Sequence, residues 1–193
     1  MEVPKVPQDN SELLCEGIRS YCKVLFAVGE FRRELRERIR NVLNPRLEEL
    51  ASAMSLAADK IKIGLAPYAD PGNILGNFDG SYAKVGWCCQ RQDQPWTLYI
   101  HWYVDETTEF GIARVSLWLK AAPRQRAVLK LNSIDPAGWG ADKGEIYVSV
   151  ALQGGDGNAV EVAFDSAIHK ATALWRKAGG VDQFLSEDTP PTL

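Results

Sequence analysis

The stretch WTLYIHWYV, residues 96–104, decides the fold class, because two kinds of side chain alternate along it. The first kind is apolar and consists of Leu98, Ile100, Trp102 and Val104. The second kind is polar or phenolic and consists of Thr97, Tyr99, His101 and Tyr103. Successive side chains of a strand point to opposite faces of the sheet. The stretch therefore predicts a β-strand with one face in the core and an aromatic, polar second face.

Further strands are predicted where β-branched and aromatic residues recur between turn residues. They cover residues 82–91, 111–121, 127–133 and 145–152. The connections RQDQP and VDETTEF have the length of hairpin loops, so consecutive strands are expected to pair antiparallel. We therefore expect an antiparallel sheet of four to five strands in meander order.

The segment before the sheet predicts two helices. Over residues 14–42, apolar residues recur at alternating spacings of four and three, which is a heptad pattern. Asn44-Pro45 suits the cap and first residue of a second helix, so we expect an antiparallel helical hairpin over residues 9–62. The first helix is the longer one, so its segment 11–28 extends beyond the end of the second helix. That segment must bury its apolar face on the sheet, on a second protomer or on another protein.

The last element has two interpretations. Over residues 158–178, apolar residues recur on one helical face, and Gly179-Gly180 suits a C-cap. Alternatively, AVEVAF forms a hairpin strand after QGGDGN, and the helix begins near Asp165. We expect the long helix, packed on the sheet.

These elements predict an α+β fold, and a chain of 193 residues has the length of one domain. The parts are the helical hairpin 9–62, the sheet 80–152 and the C-terminal helix 158–178. We expect flexible tails over residues 1–8 and 186–193.

The second face of the predicted sheet is the main candidate for function. In the simplest antiparallel register, His101 lies near Arg114 and Tyr99 lies near Ser116. Three interpretations compete: a helix of the same chain covers the face, a partner or second copy binds it, or nucleic-acid bases stack on it. Trp139, between two glycines, either anchors a partner or fills one end of the core. The candidate binding residues are Tyr99, His101, Tyr103, Arg114, Trp118 and Trp139.

Catalytic and metal-binding motifs are missing from the sequence. It contains no phosphate-binding glycine loop, no G-x-S-x-G and no H-E-x-x-H. Cys88 and His101 are possible diagonal neighbours, but two ligands do not make a zinc site, and nothing indicates a lowered thiol pKa. The sequence therefore implies no cofactor, no metal and no catalytic residue.

Composition limits the functional class. The net charge of −3 disfavours a dedicated nucleic-acid-binding protein, since such proteins usually carry a basic excess. The four cysteines form no C-x-x-C pair, which predicts reduced thiols and a cytoplasmic protein. No apolar run is long enough to cross a membrane.

We expect a non-enzymatic interaction protein that binds a protein partner or itself through its N-terminal helices and the aromatic, basic sheet face. One alternative is an enzyme or small-ligand-binding domain with a pocket between sheet and helices, around His101, Arg114, Tyr99 and Tyr103. A second alternative is binding of single-stranded nucleic acid.

Overall fold

The computed structural model describes residues 11–55, 61–65, 84–90, 96–104, 108–142, 144–154 and 157–181. The predicted tails 1–8 and 186–193 lie outside these residues, as do positions 82, 83 and 91 of the predicted strand 82–91.

Helices and strands follow one another along the described chain in the order α1, β1–β4, α2, β5, β6 and α3. Their bounds are α1 Ser11–Ala53, β1 Lys62–Leu65, β2 Lys84–Gln90, β3 Trp96–Tyr103, β4 Ile112–Leu119, α2 Ala121–Ile134, β5 Gly140–Asp142, β6 Glu145–Ala151 and α3 Ala159–Ala178.

The strands form one antiparallel sheet in the order β1-β2-β3-β4-β6-β5. The α+β class and the C-terminal helix on an antiparallel sheet are confirmed, with six described strands rather than four to five. The meander holds from β1 to β4. After β4 the chain passes through α2 to β5 at the edge, and β6 then pairs between β5 and β4, so the last two strands depart from meander order.

The predicted strand at 127–133 is wrong, because these residues belong to α2. The alternation of apolar and polar residues there is short, and a short run does not distinguish the two-residue period of a strand from the 3.6-residue period of a helix. In the helix, Ala127 and Leu131 are buried four residues apart, whereas Leu129 is exposed. Pro123 stands in the first turn, where a missing backbone N–H breaks no helical hydrogen bond.

The predicted helical hairpin is also wrong, because α1 continues through Asn44-Pro45 as a single helix. A proline inside a helix removes one hydrogen bond and costs about 3 kcal/mol. Burial on both sides of Pro45 offsets that cost: Leu43 and Leu50 lie on the same helix face and are fully buried. Pro45 itself is exposed.

One face of the sheet carries the core, as the alternation in β3 predicts. Leu98, Ile100 and Trp102 pack in one cluster with residues of all three helices, among them Ile39 and Phe164. Val104, which was expected on this side, is 43% exposed because it follows the end of β3.

The long C-terminal helix is confirmed over Ala159–Ala178, and the strand alternative is excluded. Gly179 caps it in the left-handed conformation, with φ 85°, and its N–H bonds to the carbonyl of Arg176. Phe164, Ile168 and Trp175 are buried at spacings of four and seven, which places one apolar side of α3 on the sheet.

Polar contacts hold α1 beside α3 and above β2. Arg38 bonds to Glu161 at 3.0 Å, and Arg46 bonds to Asp165 at 2.9 Å. On the sheet side, Trp87 Nε1 donates to the Arg36 carbonyl at 2.9 Å. These contacts fix the second half of α1 to the sheet and α3, which we call the body. The first half of α1 makes no such contacts in the described chain.

Candidate interaction surface and aromatic sheet face

The register of β3 and β4 brings four of the predicted residues together on the second face of the sheet. Tyr99, His101 and Tyr103 alternate along β3, and Arg114 lies directly opposite His101. Tyr99 lies opposite Ser116, so both predicted pairings are confirmed. The core cluster, and with it the three helices, lies on the opposite face.

Arg114 is held between two tyrosine rings. Its guanidinium carbon lies 4.4 Å from the ring centre of Tyr103 and 3.7 Å from that of Tyr147. Its Nη2 donates to the Tyr103 hydroxyl at 2.5 Å. Such cation–π stacking suits arginine, whose planar group packs against aromatic faces. The sequence prediction missed Tyr147 as a site residue, because its position depends on the pairing of β4 with β6, which are separated by α2.

His101 is completely buried and adjoins the same group. Its ring centre lies 6.0 Å from that of Tyr103. Burial lowers the pKa of His101 well below its usual value, and the charges of Lys84 and Arg114 lower it further. The imidazole is therefore neutral at pH 7. A buried neutral ring beside two cations is arranged to support the sheet rather than to exchange protons with solvent.

Cys88 lies diagonally across from His101, as the sequence predicted, because Cys88 pairs with Tyr99 and Gly86 pairs with His101. Burial raises the pKa of the Cys88 thiol, and burial also raises the pKa of Tyr99. A thiol with a raised pKa is protonated at pH 7 and is a poor nucleophile. Within the described ranges, no group of three or more metal-ligating side chains comes together.

The two remaining predicted residues lie apart from this group. Trp118 is on the second face of β4, four residues beyond Arg114, and is 40% exposed. Trp139 precedes β5 and packs against the core cluster, on the other side of the sheet. Of its two predicted roles, this position matches a residue that fills one end of the core.

The first half of α1 carries the largest set of exposed apolar side chains in the described chain. Leu14 is 66% exposed, Ile18 54% and Tyr21 50%. At 100° per residue, these positions lie on the same helix side as Ile39 and Leu43, which are buried. We call the set the apolar stripe; it consists of Leu13, Leu14, Ile18, Tyr21, Val24, Leu25, Val28 and Phe31.

A cavity of about 290 Å³ opens where the apolar stripe meets the body. Phe31 and Leu35 of α1 line one side, and Trp102 and Phe110 line another. The rings of Phe31 and Trp102 meet edge to face at 5.5 Å. The cavity lies between helices and sheet, but its lining includes none of the four candidate residues of the second face. Its lining comes from α1, β3, α3 and two loops, so no local pattern in the sequence indicates it.

Arg32 marks the boundary between the exposed and buried parts of α1. It is only 6% exposed, and its buried Nη1 has no hydrogen-bond partner among the described residues. Burial lowers the pKa of Arg32, and the neighbouring Arg36 lowers it further. From Leu35 onward, the same side of α1 is covered by the body.

Within the described residues, no helix combines the length and hydropathy needed to cross a bilayer. Comparisons of the chain with protein-family models, with curated proteins and with solved structures found no match.

Proposed function

We propose that this protein is a non-enzymatic interaction protein that binds through the exposed first half of α1. One observation carries the proposal: apart from Arg32, a single side of α1 is apolar along the helix, yet it is buried only from Arg32 onward. A helix normally buries its apolar side against another element. In the described chain, no such element covers Leu14, Ile18 or Tyr21, whereas Phe31 already contacts Trp102.

The free energy of burying the apolar stripe supports a binding role. Soluble monomers rarely expose large contiguous apolar patches, and those that do usually bind something there. Full burial of a large apolar side chain contributes roughly 1.5–3 kcal/mol, so covering a half-exposed one contributes about 1 kcal/mol. The eight residues of the apolar stripe together offset a large part of the cost of association.

The polar side of the same segment favours a protein over a lipid surface. Helices that lie on membranes usually carry an excess of lysine and arginine opposite their apolar side. Here there is no basic excess: the acidic residues are Glu12, Glu16 and Glu30, and the basic residues are Arg19 and Lys23.

The second face of the sheet contributes less to the proposal. His101 and Tyr103 are buried, so their rings offer no surface for a partner or a stacked base. Trp118 is the candidate residue of this face with substantial exposure. Neither the neutral His101 nor the protonated Cys88 supports an enzymatic role.

Site-specific photo-crosslinking tests the proposal. In cells that produce the protein at its native level, a benzoylphenylalanine in place of Tyr21 is expected to form covalent adducts with protein after irradiation. The matched control carries the same photoreactive residue in place of Arg19, on the polar side of α1, and is expected to form few. Equal yields from the two positions, or adducts with lipid alone, would contradict the proposal.

A further inference from the structure

We propose that the occupant of the apolar stripe is a second copy of this chain, whose α1 lies antiparallel to the first. This inference rests on the proposed function and specifies its partner. The two-fold axis passes between the helices near Cys22, so that the two bodies lie at opposite ends of the pair.

Sterics favour the antiparallel direction. From Leu35 onward, the apolar side of α1 is already occupied by the body of its own chain. In a parallel pair, the two bodies would compete for the space at the same end, and the buried Arg32 of each copy would meet the other. In an antiparallel pair, only the exposed halves of α1 overlap.

The apolar stripe is complementary to itself in this direction. With the axis near Cys22, Ile18 faces Val28 of the second copy and Tyr21 faces Leu25 of the second copy. On one flank of these layers, Gly17 lies opposite Phe31 of the second copy. On that flank a large residue thus lies opposite a small one, which allows the close packing found in helix interfaces.

Two glycines in α1 support this packing independently. Glycine inside a helix weakens it, and a Cβ added at Gly17 or at Gly29 would meet no atom within 4 Å. Steric contacts within the described part of the chain therefore do not require these glycines. In the antiparallel pair, Gly17 admits the ring of Phe31, and Gly29 lies opposite Cys15, so both allow the helices to approach closely.

The available area fits a stable dimer. Six large residues of the apolar stripe are half to two-thirds exposed: Leu13, Leu14, Ile18, Tyr21, Val24 and Phe31. Together they leave on the order of 600 Å² uncovered per subunit, given roughly 150–250 Å² for a large side chain. With the partly exposed Leu25 and Val28, this approaches the roughly 800 Å² per partner of a standard interface.

The two cysteines of α1 distinguish the arrangements. Both Cys15 and Cys22 are exposed on the flank of the apolar stripe. In the antiparallel pair, Cys22 lies beside Cys22 of the second copy. The two copies of Cys15 are then separated by about 20 Å along the helix axis, from the rise of 1.5 Å per residue. A parallel pair would place each cysteine at the same height as its equivalent, on the opposite flank of the helix pair.

Cross-linking with a short bismaleimide is the test. The Cys15→Ser variant, which keeps Cys22, is expected to give at least tenfold more covalent dimer than the Cys22→Ser variant, which keeps Cys15. The double variant supplies the background from Cys88 and Cys89. Adding Gly29→Cys to the Cys22→Ser variant is expected to restore the dimer.

A second measurement does not depend on cysteine. In sedimentation equilibrium, Gly17→Leu is expected to weaken dimerisation at least tenfold, since the added side chain meets Phe31 of the second copy. Glu16→Leu, on the polar side, is the matched control and is expected to leave dimerisation unchanged.

The outcomes separate this inference from the proposed function. Equal cross-linking through Cys15 and Cys22 would overturn the antiparallel arrangement. A strict monomer that still forms Tyr21 adducts with a different protein would overturn the second copy as partner and leave the proposed function standing. A monomer without protein adducts would overturn both.

Discussion

At the scale of single residues, stacking and burial are the described contacts that hold the centre of the second face of the sheet. Arg114 lies between the rings of Tyr103 and Tyr147, and it makes no ion pair with a carboxylate of the described chain. His101 is buried directly opposite Arg114. Gly86 pairs with His101 from the other side, in β2. A side chain does not fit there, because a Cβ at Gly86 would lie 2.6 Å from the Cα of His101.

The burial of His101 predicts a pH-dependent stability. Its pKa is lowered in the folded state, so below pH about 6.5 the unfolded chain binds a proton that the folded chain does not. The free energy of unfolding therefore falls as the pH decreases, by up to about 1.4 kcal/mol per pH unit from this group. Urea denaturation between pH 5 and 8 measures the slope, and His101→Asn is expected to reduce it.

The second histidine of the chain provides the control. His169 is exposed on α3, and His169→Gln is expected to retain the slope of the parent protein. The same slope in His101→Asn as in the parent would show that the buried imidazole does not cause the acid sensitivity.

At the scale of elements, α1 shows that packing outweighs a local breaker. The heptad spacing correctly predicts a long helix, and Asn44-Pro45 incorrectly predicts its end. Both interpretations follow from local rules. The structure differs because Leu43, Leu50 and Met54 are buried on one side of a continuous helix, and this burial exceeds the cost of the lost hydrogen bond.

We expect Pro45→Ala to stabilise the protein. The substitution restores a backbone N–H that bonds to the carbonyl of Asn41, and Pro45 is exposed, so no packing is lost. The free energy of unfolding is expected to rise by about 1–3 kcal/mol in chemical denaturation.

Asn44→Ala is the matched control for Pro45→Ala, because Asn44 is also exposed in the same turn. Its effect is limited to helix propensity and is expected to stay below about 0.7 kcal/mol. A destabilised Pro45→Ala variant would mean that α1 needs the proline in order to pack against the rest of the fold.

At the scale of the whole molecule, the fold buries one apolar surface and leaves another exposed. The helices cover the apolar face of the sheet, and the polar contacts between α1 and α3 fix the second half of α1. The first half of α1 then extends beyond the described body with its apolar side exposed.

If the exposed part of α1 mediates self-association, thermal stability depends on protein concentration. For a dimer that dissociates on unfolding, mass action raises Tm by roughly 3–5 °C per hundredfold increase in concentration. Differential scanning fluorimetry or calorimetry over that range measures it. Ile18→Asp places a charge in the apolar stripe and is expected to abolish the dependence, whereas Glu16→Gln is expected to preserve it. A Tm of the parent protein that does not change with concentration would speak against a stable dimer.

The sequence by itself determined what depends on neighbouring positions. The alternation of β3 identified both faces of the sheet, the hairpin-length loop placed His101 opposite Arg114, and the apolar spacing identified the helix over 158–178. The periods of 2 and 3.6 residues are geometric properties of the backbone, so they are legible without knowledge of contacts.

Only the tertiary structure decided what depends on distant contacts. The short run 127–133 became a helix, Tyr147 joined Arg114 through the β4–β6 pairing, and α1, β3, α3 and two loops enclosed the cavity beside Phe31. The free energy of burial between distant segments exceeds the small differences in local propensity that a sequence pattern reports. For the same reason, only the fold distinguished the buried second half of α1 from its exposed first half, although one heptad pattern runs through both.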